Sequence, residues 1–335
     1  MRIAVDDRYR AAVSGRFTGH DLFFVQTETT SSEDLIAQIR DAEILLSGRS
    51  GPYVLSRRMI ERLPRLQLLI KGGSGADHYD VAALSDHGIL LSLNVGINAS
   101  SVADHIFMLT LLCLRNSARD IANMRAGIWD RANPPRAPYE LEGKTVGIIG
   151  LGHIGAHVAR RAIGFGAHPI AYQRHPRADA EILAGIRPVT LDDLMRESDV
   201  VVPCVPHTSE TDRMIGEREI GLMKPTAILV NCARGRVVDE PALYRALLAG
   251  RILGAGLDTF EEEPTPADNP LLRLESVVAT PHVAGGSVES ERAKTPLLVQ
   301  NVDRFLAGLR PEGLFNPEVW ESGRARALRA RSAEA

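Results

Sequence analysis

The stretch KTVGIIGLGHIG, residues 144–155, constrains the fold more than any other part of the chain. A β-branched run leads into Gly150-Leu151-Gly152-His153-Ile154-Gly155, and HIGAHVARRAIGFG continues with helical spacing. A G-x-G-x-x-G between a strand and a helix opens a βαβ unit, which commits the chain to a parallel sheet covered by helices. Each glycine has its own task. Gly150 permits a tight turn, Gly152 lets the backbone approach a pyrophosphate, and Gly155 lets the helix pack closely on the strand. The N–H groups of His153, Ile154 and Gly155 open the helix and have no partner inside it. Together with the helix dipole they favour an anion. The segment implies a dinucleotide site.

The same alternation runs along the whole chain. Before the loop, IAV (3–5), FFV (23–25), EILL (43–46), LQLLI (66–70) and ILLSL (89–93) read as strands, with helical patterns at 32–41 and 55–63. After it, strand candidates fall at 144–149, 168–172, 199–202, 226–230, 253–258 and 276–279. A chain of 335 residues carries two domains on this reading. The fold class is α/β, with two doubly wound parallel-sheet domains. Between the two alternations, 99–126 is apolar-periodic and predicts one long helix, broken off by Asn133-Pro134-Pro135-Arg136-Ala137-Pro138. Asp239 is the expected N-cap of a helix carrying Leu243, Leu247 and Leu248, and Gly250 its stop. A last long helix, 287–308, follows the second sheet and is expected to cross back to the first domain.

The formal net charge of -3 gives no basic field for nucleic acid or a membrane surface. The longest apolar run, Ile106–Leu114, is too short to span a bilayer. MRIAV at the start reads as a strand rather than a signal peptide. Cys113, Cys204 and Cys232 lie far apart and form no metal-ligand spacing, so no metal is expected and a reducing cytoplasm is the expected compartment.

The strand HPIAY (168–172) should end near the adenosine ribose. A carboxylate about 20 residues past the glycines usually binds the 2′-hydroxyl of NAD. Here the segment is Gln173-Arg174-His175-Pro176-Arg177, with no carboxylate to repel a 2′-phosphate and two guanidinium groups to attract one. NADP is the expected cofactor, with NAD also accepted.

Moving hydride to a 2-keto acid needs a cation for the carboxylate, a general acid for the carbonyl oxygen, and a carboxylate that keeps that acid protonated. Arg234, Glu263 and His282 supply one of each, all at C-terminal ends of predicted strands, where open α/β sheets bind ligands. Taken singly they are ordinary. Glu263 ends an acidic run, Arg236 competes with Arg234, and a lone histidine is more often structural.

Together these residues resemble the D-isomer-specific 2-hydroxyacid dehydrogenases, which include phosphoglycerate dehydrogenases and glyoxylate/hydroxypyruvate reductases. The resemblance covers about 1–320. The family's N-x-A-R-G segment matches Asn231–Gly235, its D-x-F-x-x-E-P matches Asp258–Pro264, and its P-H matches Pro281-His282. It implies substrate binding by Arg234, acid–base work by His282, and Glu263 as the partner of that acid. It implies that Asp258 contacts the nicotinamide carboxamide. Val205 and Pro206, in VPHTSET, lie in the cofactor-side loop it implies; Cys232 and Ala233 are candidate cofactor residues, while Cys204 and Cys232, flanking the expected cleft, read better as small apolar filler. KGGSGAD (71–77) resembles the turn whose backbone holds the substrate carboxylate, through Ser74 and Gly75. Arg49 is a candidate for a distal substrate group. Asn94 and Asn98–His105 resemble the interdomain hinge and the helix after it.

The implied architecture is a flavodoxin-like substrate domain, 1–97 and 285–320, interrupted by a Rossmann domain, 98–284, with 321–335 as a frayed tail. The family also implies a homodimer, through an arm formed by the helix from 99 and Trp129. Two features depart from its pattern. Gly96 stands where Pro is frequent, and Ala284-Gly285-Gly286-Ser287 replaces a bulkier loop, which enlarges the pocket. The expected function is hydride transfer between NAD(P)(H) and a small 2-keto or D-2-hydroxy acid. The alternatives are a phosphite or formate-type dehydrogenase and a dinucleotide-sensing, corepressor-like binding protein. Formate dehydrogenases carry Gln where Glu263 stands.

Overall fold

The computed structural model describes residues 1–27, 29–48, 54–131, 136–174 and 186–321. Two compact units divide the chain, Met1–Ile97 with the segment from Ser287 onward, and Asn98–Gly286.

The first unit holds β1 (Arg2–Asp6), β2 (Asp21–Val25), β3 (Ile44–Ser47), β4 (Leu68–Lys71) and β5 (Leu90–Leu93), all parallel, in the order β2-β1-β3-β4-β5. Its helices are α1 (Arg10–Val13), α2 (Ser32–Ile39), α3 (Arg57–Ile60) and α4 (Val81–Asp86). Alternate strand residues feed two cores. Ala4, Leu45, Leu69 and Leu91 pack on Leu35, Ile36 and Ile39 of α2, while Ile3, Val5, Ile44 and Ile70 face the opposite side. Burial on both faces is why these strands read as continuous apolar runs.

The second unit opens with α5 (Ala99–Arg115) and α6 (Ser117–Arg125). Its sheet runs β12-β11-β10-β9-β6-β7-β8, parallel throughout. The strands are β6 (Thr145–Ile149), β7 (His168–Tyr172), β8 (Arg187–Pro188), β9 (Val200–Pro203), β10 (Ile228–Asn231), β11 (Gly254–Leu257) and β12 (Val277–Ala279). Helices α7 (His153–Gly164), α8 (Leu191–Glu197), α9 (Glu217–Leu222) and α10 (Glu240–Leu248) cover it. Asp239 caps α10 by accepting from the Ala242 N–H, and Gly250 follows its end at φ 63°. The last long helix, α11 (Val288–Leu306), lies in the first unit. Its Leu298, Val299, Val302 and Phe305 join the core beneath Ile3 and Val5, and α12 (Glu318–Glu321) adds Val319 and Trp320.

The single helix expected over 99–126 is two. Asn116 takes the left-handed conformation, φ 57° and ψ 20°, and ends α5 one residue before α6 starts. Asparagine tolerates that conformation better than most residues. Its side chain is occupied there, since Nδ2 donates to the Arg136 carbonyl at 2.8 Å and Oδ1 accepts from the Arg136 guanidinium. The same guanidinium donates to the Cys113 carbonyl at 2.8 Å. No helix among the described residues is long and apolar enough to cross a membrane.

Candidate active site

The glycine loop lies between β6 and α7. Gly150 adopts φ 96°, and a Cβ there would come within 2.7 Å of Val205 Cγ1, so the missing side chain admits the loop that follows β9. A Cβ on Gly155 would sit 2.2 Å from the Gly150 carbonyl oxygen, which only a glycine allows. Gly152 differs, because its added Cβ would meet nothing within 4 Å. It is the N-cap of α7, and no side chain caps that helix. An open approach at Gly152 to the uncapped N–H groups of His153, Ile154 and Gly155 fits the pyrophosphate of a dinucleotide. Gln173, at the end of β7, donates to the Leu151 carbonyl at 3.3 Å and ties this edge to the loop.

The sequence reading left no carboxylate beside Arg174, and the structure supplies one. Glu210 pairs with the Arg174 guanidinium, with both side chains more than half exposed. It belongs to the 205–211 segment, 36 positions along, and comes close because β9 lies two strands from β7 in the sheet. His175 and Arg49 lie outside the described residues. In the 205–211 segment, the Pro206 carbonyl accepts from the Thr211 hydroxyl at 2.7 Å. Burial pushes the Cys204 thiol up to about 12 and the Cys232 thiol well above its ordinary value, so both act as apolar filler, and Ala233 is buried beside Cys232.

Arg234 leaves β10 through a turn built by Asn231. The Asn231 amide donates to the Arg234 carbonyl at 2.9 Å, and its oxygen accepts from the Ala233 N–H at 3.0 Å. Gly235 follows, and a Cβ there would lie 1.9 Å from the Phe260 carbonyl carbon. Only a glycine lets the segment after β11 cross so closely. That segment carries Glu263, whose Oε1 accepts from the Phe260 N–H at 3.0 Å and whose Oε2 lies 2.6 Å from His282 Nδ1. Burial alone would raise the Glu263 carboxyl. The hydrogen bond and charge of His282, the Phe260 N–H and the charge of Arg234 outweigh it and hold Glu263 below the usual range. His282 and Glu263 are therefore paired, and the charge of Arg234 acts on the same carboxylate. Their competitors are engaged elsewhere, Arg236 with Asp212 at 2.9 Å and Glu261 with Arg213 at 2.8 Å.

Asp258 is held by bonds that the sequence did not show. Its side chain is 0% exposed. Oδ1 accepts from the Thr280 hydroxyl at 2.6 Å and the Val283 N–H at 3.0 Å, and Oδ2 accepts from the Ala284 N–H at 2.9 Å. Its carboxylate shapes the histidine loop. Ser74 and Gly75 belong to the first unit, in the turn after β4, where the Gly75 carbonyl accepts from Lys71 Nζ at 2.9 Å. Sequence reasoning gave no role to Asn231, Gly235, Thr280 or Glu210. The glycine after the arginine was the available signal, as a position that needs close backbone approach. Among the described residues, no group of three His, Cys, Asp or Glu could hold a metal ion.

Residues 107–284 match the family described as D-isomer specific 2-hydroxyacid dehydrogenase, NAD binding domain. The chain is 40% identical over 291 residues to a glyoxylate reductase of Korarchaeum cryptofilum, covering 86% of this chain and 87% of that one. An acyclic imino acid reductase solved with NADPH and D-Arg superposes with a TM-score of 0.82 at 29% identity, over 94% of this chain and 100% of the other. A D-lactate dehydrogenase from Aquifex aeolicus, solved with NAD and lactic acid, gives a TM-score of 0.78 at 28% identity, over 91% and 96%. With this glycine loop and this arginine–glutamate–histidine cluster, the chain belongs to the D-isomer-specific 2-hydroxyacid dehydrogenase family. It is an oxidoreductase that moves hydride between a nicotinamide dinucleotide and a 2-keto or 2-hydroxy acid.

Proposed function

We propose that the protein reduces a small 2-keto acid of the glyoxylate or hydroxypyruvate type to its 2-hydroxy acid, with NADPH preferred and NADH accepted. The observation that carries this reading is the 2.6 Å pair of His282 with Glu263, on the dinucleotide-binding unit and within the field of Arg234. The similarity to a glyoxylate reductase supports the substrate class. Arg174 at the end of β7 and the NADPH-bound structural relative support the cofactor preference. A carboxylate at position 263 opposes the formate-type alternative.

The dinucleotide, when bound, supplies the hydride. Gly150, Gly152 and the N–H groups of His153, Ile154 and Gly155 would hold its pyrophosphate, and Val205, Pro206, Cys232 and Ala233 would contribute to its site. Arg234 binds the substrate carboxylate and polarises the keto oxygen. His282 donates its proton to the keto oxygen as that oxygen becomes a hydroxyl. Glu263 fixes the ring by its Nδ1 side, which leaves Nε2 for the substrate.

We assign the protein to the cytoplasm on its three free cysteines. A homodimer through α5 and α6 is supported by the exposed apolar side chains of Ile121, Met124, Ile128 and the 79%-exposed Trp129. The test is turnover of glyoxylate, hydroxypyruvate, pyruvate, bulkier keto acids, formate and phosphite, each with both cofactors. Turnover of glyoxylate or hydroxypyruvate with the highest kcat/KM is the expected result. Turnover confined to formate or phosphite, or tight cofactor binding with no turnover at all, would overturn the reading.

A further inference from the structure

His282 stands in an unfavourable backbone conformation, at φ 51°. A left-handed conformation is unfavourable for a residue with a Cβ, and it persists only where surrounding bonds over-determine it. Here Asp258 supplies those bonds. Its carbonyl accepts from the His282 N–H at 2.8 Å, and its carboxylate accepts from the next two N–H groups, of Val283 and Ala284. A fully buried carboxylate can do this only if its own orientation is fixed.

The fixing group comes from α5. His105, with 13% of its side chain exposed, places Nε2 2.8 Å from the Thr280 hydroxyl and 3.4 Å from Asp258 Oδ1. The direction of these bonds follows from counting protons. Thr280 has a single hydroxyl proton and gives it to Asp258 Oδ1 at 2.6 Å. Its oxygen is then an acceptor, so His105 Nε2 carries the hydrogen and donates it. Asp258 has no lysine or arginine within salt-bridge distance among the described residues, and His105 is the basic side chain that faces it.

We infer that His105 is a positioning residue for the proposed reaction: through Thr280 and Asp258 it locks the left-handed turn that presents His282 to Glu263 and the substrate. The inference rests on the role proposed for His282. His105 touches neither substrate nor cofactor in this account. Its removal lets the carboxylate turn, the 282–284 backbone relax, and the imidazole move off its place. A misplacement of about 1 Å costs on the order of a hundredfold in rate.

The test compares His105→Leu, which keeps bulk and loses the donor, with His105→Gln, whose amide nitrogen can reach the position of Nε2. Thr280→Val and the His105→Leu/Thr280→Val double variant complete the set. Expected are a kcat loss of about tenfold to a hundredfold in His105→Leu, an unchanged dissociation constant for NADPH, and recovery of most of kcat in His105→Gln. The double variant should be no slower than the slower single one, because both break one chain of bonds. Wild-type turnover in His105→Leu, a loss confined to cofactor affinity, or effects that multiply in the double variant would overturn the inference. If His105→Leu does not fold, Thr280→Val carries the test, and full activity in it overturns the inference equally. Backbone hydrogen exchange over residues 281–285 separates this inference from the proposed function. Faster exchange there in the leucine variant supports the lock even if no 2-keto acid is turned over, and unchanged exchange refutes it.

Discussion

Replacing Gly152 and Gly155 separately by alanine divides cofactor binding from stability within one six-residue loop. A methyl group at Gly155 would lie 2.2 Å from the Gly150 carbonyl oxygen and 3.2 Å from Ile148 Cγ2. Contacts this short are relieved only by moving α7 away from β6, because the first obstacle is backbone. Overpacking of this kind costs about 1–3 kcal/mol, with the upper end expected against a main-chain atom, and helix propensity returns only about 0.5–1 kcal/mol. For a unit of this size each kcal/mol lowers Tm by about 2–4 °C, so Gly155→Ala should melt about 4–10 °C lower. Gly152 has an extended backbone and nothing within 4 Å of its added Cβ. Gly152→Ala should therefore hold its Tm or gain up to about 1 kcal/mol through the unfolded chain. In the complex the same methyl stands where the pyrophosphate must approach. Losing one hydrogen bond to a charged group, about 1.5–3 kcal/mol, weakens cofactor binding by about 10- to 150-fold. Thermal unfolding without cofactor and fluorescence titration with NADPH and NADH measure the two effects. The reasoning fails if Gly152→Ala melts as low as Gly155→Ala, or if it binds both dinucleotides like the wild type.

Three further predictions concern the chemistry and the cofactor. His282→Ala should lose about 10²–10⁴ in kcat, and Arg234→Ala should act mainly by raising KM for the keto acid; steady-state kinetics with wild-type values for both would end the assignment. Glu263→Gln should lower kcat, since the carboxylate that holds the His282 ring by Nδ1 is gone, and wild-type kcat in steady-state kinetics would refute that role. The Glu263 carboxyl is lower in the folded chain than its ordinary value. Its contribution to stability is therefore present above the unfolded carboxyl's pKa and is lost as pH falls through the folded value. Wild type and Glu263→Gln should accordingly converge in Tm in acid and differ near neutral pH, by a modest amount because the pair is about one-third to one-half exposed. Arg174→Ala should lower kcat/KM for NADPH relative to NADH, and Glu210→Gln, which frees the guanidinium, should raise it; equal effects on both cofactors would refute that role.

What could be read from the chain alone follows from short-range physics. Parallel strands buried on both faces appear as runs such as EILL and ILVN, and the β6–α7 turn demands glycines at fixed offsets. The N-x-A-R-G, D-x-F-x-x-E-P and P-H segments each sit at one strand end, so their joint position depends only on successive strands being parallel. Local periodicity could not show the break at Asn116, because the residue that stabilises it is Arg136, on a segment that returns 20 positions later. Nor could it show Glu210 beside Arg174, or tell the competing arginines apart: Arg236 is taken by Asp212, a partner 24 positions away.

The amino-acid order determined which segments become strands, which glycines must stay bare, and which three polar side chains stand at successive strand ends. Only the folded sheet decided that Asp258 faces inward and that His105, 153 positions before it, stands against it. Such contacts depend on which strands become neighbours, and strand order is set by how whole faces bury their apolar side chains rather than by any single stretch of residues.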